Sequence, residues 1–227
     1  MKLEFAVVSD THLASKYERL NELHSFYNDL KKYGINLVLH AGDITDGVGV
    51  YKGQENCIKV YNTDEQAEYT KANYPKIKGI ETKFITGNHD LRAWDKGGAD
   101  VGKLINEMRP DLKYLGRYSQ RVNIEGFKID IVHPAGGMAY ALSYPAQKYV
   151  NGLEGGTKPD VLIFGHRHQS IFMGYRNIFC FDAGCFQGQN DFTKRRGINP
   201  QVGGWIIQLN RLNAKEIEIT PKFKKYY

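Results

Sequence analysis

Five short apolar runs in this 227-residue chain each lead into residues that can bind a metal or move a proton. Leu3–Ser9 leads to Asp10 and His12, Ile35–His40 to Gly42-Asp43, and Glu81–Thr86 to Gly87-Asn88-His89-Asp90. Lys128–Val132 leads to His133, and Val161–Phe164 to Gly165-His166-Arg167-His168. The runs are rich in β-branched residues and bounded by Gly, Asp, Asn or Pro, the pattern of buried strands. Asp, Asn and His offer the oxygen and nitrogen donors of hard or borderline metals. In α/β sheets ligands gather at the carboxyl ends of strands. The chain is thereby constrained to an α/β sheet with one functional edge.

Further runs fill out that frame. Ile178–Phe181 reads as another strand, and Tyr118–Ile124 and Phe127–Val132 flank a hairpin turn at Glu125-Gly126. Gly203–Asn210 and Glu216–Thr220 read as a final antiparallel pair. Leu20, Leu23, Phe26, Tyr27 and Leu30 line one face of a helix predicted over Tyr17–Tyr33 and stopped by Gly34. Thr63–Tyr74, Gly98–Met108 and Met138–Val150 are further predicted helices. Thr45–Asn62 and Gly184–Gly204 fit no element, and loops of that length in a compact domain are usually functional or mobile. With no internal repeat and no dividing linker, residues 1–227 read as a single domain.

Composition excludes several classes. With 41% hydrophobic and 25% charged residues the chain is globular rather than disordered or fibrous. No run approaches the roughly 20 apolar residues that span a bilayer, and the first apolar stretch is too short for a signal peptide. Cys57, Cys180 and Cys185 form no C-x-x-C pair and no closed disulfide framework, which suggests a reducing, cytoplasmic setting. The net charge is +6, but half of the excess lies in residues 211–227, so the basic balance points only weakly to nucleic acid.

Five of the seven histidines stand at the strand ends, and His133 is the only one between His89 and His166. Glycine precedes Asp43, Asn88 and His166, as expected where backbone passes close to a site. Asp10-x-His12, Gly42-Asp43, Gly87-Asn88-His89-Asp90, a lone His133 and Gly165-His166-x-His168, in that order, resemble the calcineurin-like metallophosphoesterase superfamily. The departure is Val-His-Pro around His133, where His-Gly is common in relatives. The resemblance implies a four-layer α/β/β/α sandwich with two mixed β-sheets and a dinuclear metal site at the strand C-terminal edge. It implies one metal on Asp10, His12, Asp43 and His168 and a second on Asp43, Asn88, His133 and His166. The metals would be two divalent transition-metal ions, Mn²⁺ favoured, with Fe, Zn²⁺ or Ni²⁺ as alternatives. Water activated between them would attack phosphorus, with His89 as general acid and Asp90 orienting His89.

Arg92 and Arg167 are candidates for phosphate contact, though solvated arginines fit equally well. His40 reads as packed in or beside the second strand and His24 as lying on a solvated helix face. Lys194-Arg195-Arg196 reads as a solvated loop and Lys222–Tyr227 as a frayed terminus. The expected activity is phosphoester hydrolysis, a phosphodiester being favoured, with nucleic acid or a nucleotide as candidate substrate. The Gly-Asn-His-Asp form resembles that of DNA-repair exonucleases and small bacterial phosphodiesterases. The alternatives are a phosphomonoesterase acting on a nucleotide, protein or small metabolite, and a binding module that has lost catalysis. The last is disfavoured because every ligand position is filled. No membrane partner is expected, and the oligomeric state is left open.

Overall fold

The computed structural model describes all residues except Met138, Lys215 and Tyr227. The chain runs β1 (Lys2–Val8), α1 (Leu20–Tyr33), β2 (Leu37–His40), α2 (Thr63–Asn73), β3 (Glu81–Thr86), α3 (Val101–Met108) and β4 (Leu112–Arg117). It continues β5 (Ser119–Ile124), β6 (Phe127–Val132), α4 (Tyr144–Asn151), β7 (Val161–Phe164), β8 (Ser170–Tyr175) and β9 (Ile178–Ala183). It ends with α5 (Asp191–Arg195), β10 (Gly203–Arg211) and β11 (Ile217–Lys225).

Two mixed sheets result. One has the order β11-β10-β1-β2-β3-β4 and the other β5-β6-β7-β9-β8. Strands β1 to β4 are mutually parallel, as are β6, β7 and β9, so their carboxyl ends point to a common edge within each sheet. Phe5, Val7, Leu39 and Ile85 from the first sheet pack against Ile129, Ile131, Ile163 and Phe181 from the second. The outer face of the first sheet is covered by α1, α2 and α3 through Phe26, Leu30, Ala67 and Ile105. The outer face of the second is covered by α4 through Ala146 and Val150 against Leu162 and Phe164. This is the four-layer sandwich expected from the sequence.

Several boundaries differ for local reasons. Helix α1 begins at Leu20, not Tyr17, because the preceding segment is pinned to other loops: Leu13 pairs with Thr45, Ser15 with Ile58 and Glu18 with Gln187. Its end is as expected, with Gly34 left-handed and its N–H turned back to Leu30 and Lys31. Helix α3 begins at Val101 because Asp100 caps it, accepting from the Gly102 N–H at 3.1 Å. Helix α4 begins only at Tyr144; the expected start at Met138 lies outside the described residues. Strands β4 and β8 have mixed burial and lack the apolar alternation that would announce them.

Residues 222–226 of the tail are not frayed. Strand β11 pairs with β10 along its length, Lys224 forms an ion pair with Asp29, and Tyr226 packs on the core beneath α1. Pro221 fits because β11 is an edge strand. Among the described residues no helix is long and apolar enough to cross a membrane.

Candidate metal centre

The strand ends are held in unusual backbone. Asp10, His12, Asp43, His166 and His168 have φ of 50°, 44°, 55°, 76° and 54°, in the left-handed region. Non-glycine residues seldom go there, at a cost of about 1–3 kcal/mol each. Cross-loop bonds enforce it. The Asp10 N–H donates to the Gly42 carbonyl at 2.9 Å, the His12 N–H to the Asp43 carbonyl at 3.1 Å, and the His166 N–H to Asp10 Oδ2 at 2.9 Å. A side chain at Gly87 would collide with Asp43 and His133, and one at Gly165 with the Ala41 carbonyl and Ser9. Those glycines clear the space in which the donors meet.

Two clusters converge. In the first, His12 Nε2 lies 3.8 Å from Asp10 Oδ1 and 3.1 Å from His168 Nε2, which is itself 3.3 Å from Asp10 Oδ1. In the second, His133 Nε2 lies 3.1 Å from Asp43 Oδ2 and 3.1 Å from Asn88 Oδ1, with His166 beside it. Asp43 joins them, because its Oδ2 is also 3.9 Å from His12 Nε2. All seven residues singled out as ligands in the sequence are thus brought together.

The second nitrogen of most of these rings is fixed by an oxygen that can only accept. His12 Nδ1 donates to Asp46 Oδ1 at 3.0 Å, His133 Nδ1 to the Ala41 carbonyl at 2.8 Å, and His166 Nε2 to the Gly136 carbonyl at 2.7 Å. The other nitrogen of each ring is left with its lone pair for a cation, the arrangement that outer partners impose on metal-binding histidines. His89 lines the same cleft as His12, His166 and His168. Its Nδ1 donates to the Asp46 main-chain carbonyl at 2.6 Å. Asp90 does not orient it. The Asp90 carboxylate instead accepts from the N–H groups of Ile44, Thr45 and Gly87 and from the Thr45 hydroxyl, at 2.8–3.1 Å. Asp90 is therefore the brace between the Asp43 and Asn88 loops, and its proximity in sequence to His89 is not contact.

Charge in the cluster is arranged for cations. Burial disfavours ionised Asp10, but His168 and His12 outweigh it and hold the carboxyl well below its ordinary range. Burial likewise opposes an imidazolium at His133 and at His168. Asp43 and Asp10 lift His133 to about 9, while Cys185 and Asp10 lift His168 to about 10. Buried carboxylates that draw protons onto neighbouring imidazoles are carboxylates short of positive charge, and this mixed imidazole–oxygen donor set suits divalent transition metals. At His89 burial dominates and lowers the pKa.

The remaining candidates fall elsewhere. Arg167 is buried and ion-paired with Asp182, its guanidinium lying 4.8 Å over the Phe164 ring, so its charge is already matched. Arg92 donates from Nε to the Gly49 carbonyl at 2.8 Å and braces the loop beside the cleft. His40 is fully buried and accepts from the Gly42 N–H at 3.2 Å. Its Nε2 therefore donates to the Thr11 hydroxyl, at 3.1 Å. Burial lowers its pKa to about 3 and keeps it neutral. His24 is exposed and donates to the Asn73 carbonyl at 2.9 Å. Asp46 was missed by the sequence reading, although it stands only three positions after Asp43. Also missed were Tyr51, Asn190 and Phe192, from the two stretches that fitted no element, which line a cleft of about 330 Å³ over the centre.

Comparison with known proteins adds three findings. The family model of the calcineurin-like phosphoesterase superfamily domain matches residues 3–197. The chain is 28% identical to the DNA polymerase II small subunit of Archaeoglobus fulgidus, over 91% of this chain and 51% of that protein. It is 27% identical to the protein of the same name from Methanocaldococcus jannaschii, over 88% of this chain and 41% of that protein. The chain thus spans about half the length of the curated relatives it matches. Among solved structures, one described as a novel archaeal phosphodiesterase covers 97% of this chain and 100% of its own at a TM-score of 0.53 and 15% identity, a likeness of fold.

Proposed function

This chain belongs to the calcineurin-like phosphoesterase superfamily, and from that premise we propose that it is a metal-dependent phosphodiesterase acting on nucleic acid or a nucleotide. The observation that carries the reading is the placement of Asp43, one carboxylate within 4 Å of both His12 and His133. Asp10, His12, Asp43 and His168 would hold one divalent ion, and Asp43, Asn88, His133 and His166 the other. When bound, the pair would polarise the phosphoryl oxygens and activate the attacking water.

The chain's own residues supply the rest. Because His89 Nδ1 is committed to the Asp46 carbonyl, Nε2 is the nitrogen that faces a substrate. A proton held at Nε2 would pass to the leaving oxygen, and the ring would be left neutral and still bonded to Asp46. Burial lowers the His89 pKa and favours that release. Asn88, a neutral donor, would leave the centre more positive than a third carboxylate would, which favours binding of a phosphate anion.

The substrate class is supported by the curated relatives, which are named as DNA polymerase subunits. A loss of catalysis would be expected to show as replaced ligands, and here the donor set is complete. The test is hydrolysis of matched chromogenic phosphodiester and phosphomonoester with Mn²⁺ added, followed by single-stranded and duplex DNA. Faster turnover of the diester and of DNA is expected. Turnover of the monoester alone would assign a phosphatase, and none with two ions bound would assign a non-catalytic subunit.

A further inference from the structure

The two stretches that fitted no element in the sequence meet across the cleft. Tyr51 comes from one and Phe192 from the other, and their rings stack at 4.7 Å between centroids with 28° between planes. The Arg196 guanidinium lies 4.5 Å over the Phe192 ring. Tyr51 also meets the His89 ring edge-on, at 6.3 Å. Guanidinium, phenyl and phenol thus form one stacked column whose Tyr51 end lies beside the residue assigned to the leaving group.

That wall is braced. Asn190 and Thr193 form a reciprocal capping box that starts α5 and sets Phe192, and Asn190 Nδ2 reaches the Tyr51 hydroxyl at 3.5 Å. On the other side, Gln54 accepts from the Val50 N–H at 2.8 Å and donates to the Asp46 carbonyl at 2.8 Å, and Arg92 holds Gly49. The loop that carries Tyr51 is therefore tied to the same carbonyl that orients His89. Nothing in the metal chemistry requires aromatic rings here.

We infer that Tyr51, Phe192 and Arg196 form a nucleobase-stacking subsite for the nucleotide on the leaving side of the scissile phosphodiester. The inference rests on the phosphodiesterase reading, which places the leaving oxygen at His89. Every base has a π-face, so such a wall tolerates any sequence, and the cation on Phe192 adds attraction to a base and its phosphate. The cleft, about 330 Å³, is at the small end of ligand pockets and suits one nucleotide rather than a duplex. Lys194, Arg195 and Arg196 are all exposed, and Arg196 in addition lies over the Phe192 ring.

The test uses a dinucleotide and its two abasic analogues, each lacking one base but keeping the phosphodiester. With Mn²⁺, removal of the base from the nucleoside that leaves without the phosphate should lower kcat/KM by roughly 5–150-fold, the usual worth of one stacked base, whereas a loss confined to the other base would refute the leaving-side placement. Tyr51→Ala and Phe192→Ala should lower turnover of the intact dinucleotide to the same extent and add no further loss on that abasic analogue. Equal turnover of all three substrates by the wild type, or equal loss on all of them in the variants, would overturn the subsite. If the wild type hydrolyses none, the phosphodiesterase reading fails. The subsite is then judged by fluorescence of 2-aminopurine deoxynucleotide titrated with chelator-treated protein. Quenching by wild type but not by Phe192→Ala would uphold it, and no quenching by wild type, or equal quenching by both, would refute it.

Discussion

His89 Nδ1 meets the main-chain carbonyl of Asp46 at 2.6 Å, while the carboxylate of the same aspartate holds His12 at 3.0 Å. Asp46 thus holds His89, the proposed proton donor, through its backbone, with its carboxylate 3.7 Å from the same ring nitrogen, and holds His12, a proposed metal ligand, through its side chain. The two contacts can be probed by separate substitutions.

His89→Ala should retain both ions and lower kcat by about 10²–10⁴, the usual worth of general acid catalysis. The defect should be small for a nitrophenolate, which is stable as an anion, and large for a sugar alkoxide. Steady-state kinetics on the two esters, with metal analysis, decide this. Equal defects would make His89 a phosphate-positioning group.

Asp46→Ala should do the opposite. The carbonyl that holds His89 remains, but His12, Gln54 and Gln187 lose their shared acceptor. Metal affinity should fall by about 10–100-fold, as for lost outer partners of metal-binding histidines. Saturating Mn²⁺ should restore turnover with the leaving-group dependence unchanged. A defect that tracks the leaving group would place the carboxylate with His89 instead.

How much of this was legible in the sequence depended on whether a feature is local. Asp10, Asp43, Asn88 and His166 were readable because each follows a buried run directly, and strand polarity alone puts them at one edge. Asp90 was misread because adjacency to His89 suggested contact, whereas the turn after β3 rotates its carboxylate onto the Asp43 loop. The Tyr51–Phe192 stack could not be read at all, since it joins residues about 140 positions apart through loops with no periodicity. Strand β11 was cut short because its alternation continues through Pro221 and lysines, a pattern tolerated only at an edge.

Metal affinity should rise with pH. Burial opposes charge on His133 and His168, yet the neighbouring groups raise them from 6.5 to about 9 and about 10. Raised histidines stabilise the metal-free protein fully below about pH 6.5, and that contribution is lost as pH climbs through about 9–10. Metal requires the same nitrogens unprotonated. Affinity measured by chelator competition should therefore increase between pH 6.5 and 10, by at most about tenfold per pH unit for each proton displaced, while the Tm of the metal-free form falls. A flat affinity would show that these histidines are already neutral.

Arg167→Ala should act on stability rather than on substrate binding. It leaves Asp182 buried without its partner, a change that costs about 3–5 kcal/mol in comparable pairs. Denaturant unfolding of the metal-free protein measures this, and a double change of Arg167 and Asp182 to Leu should recover part of the loss. A raised KM with unaltered stability would return Arg167 to the substrate.

Under the proposed function Asp43 would serve both ligand sets, and hydrolysis would require both ions. That requirement is tested most directly by titrating Mn²⁺ into chelator-stripped protein while following cleavage of a phosphodiester. Activity should be absent at the start and should reach its plateau at two ions per chain. In Asp43→Asn, which weakens both ligand sets together, it should not reach that plateau at any stoichiometry near two. Hydrolysis that survives chelation, or a full rate in Asp43→Asn with two ions bound, would contradict the account.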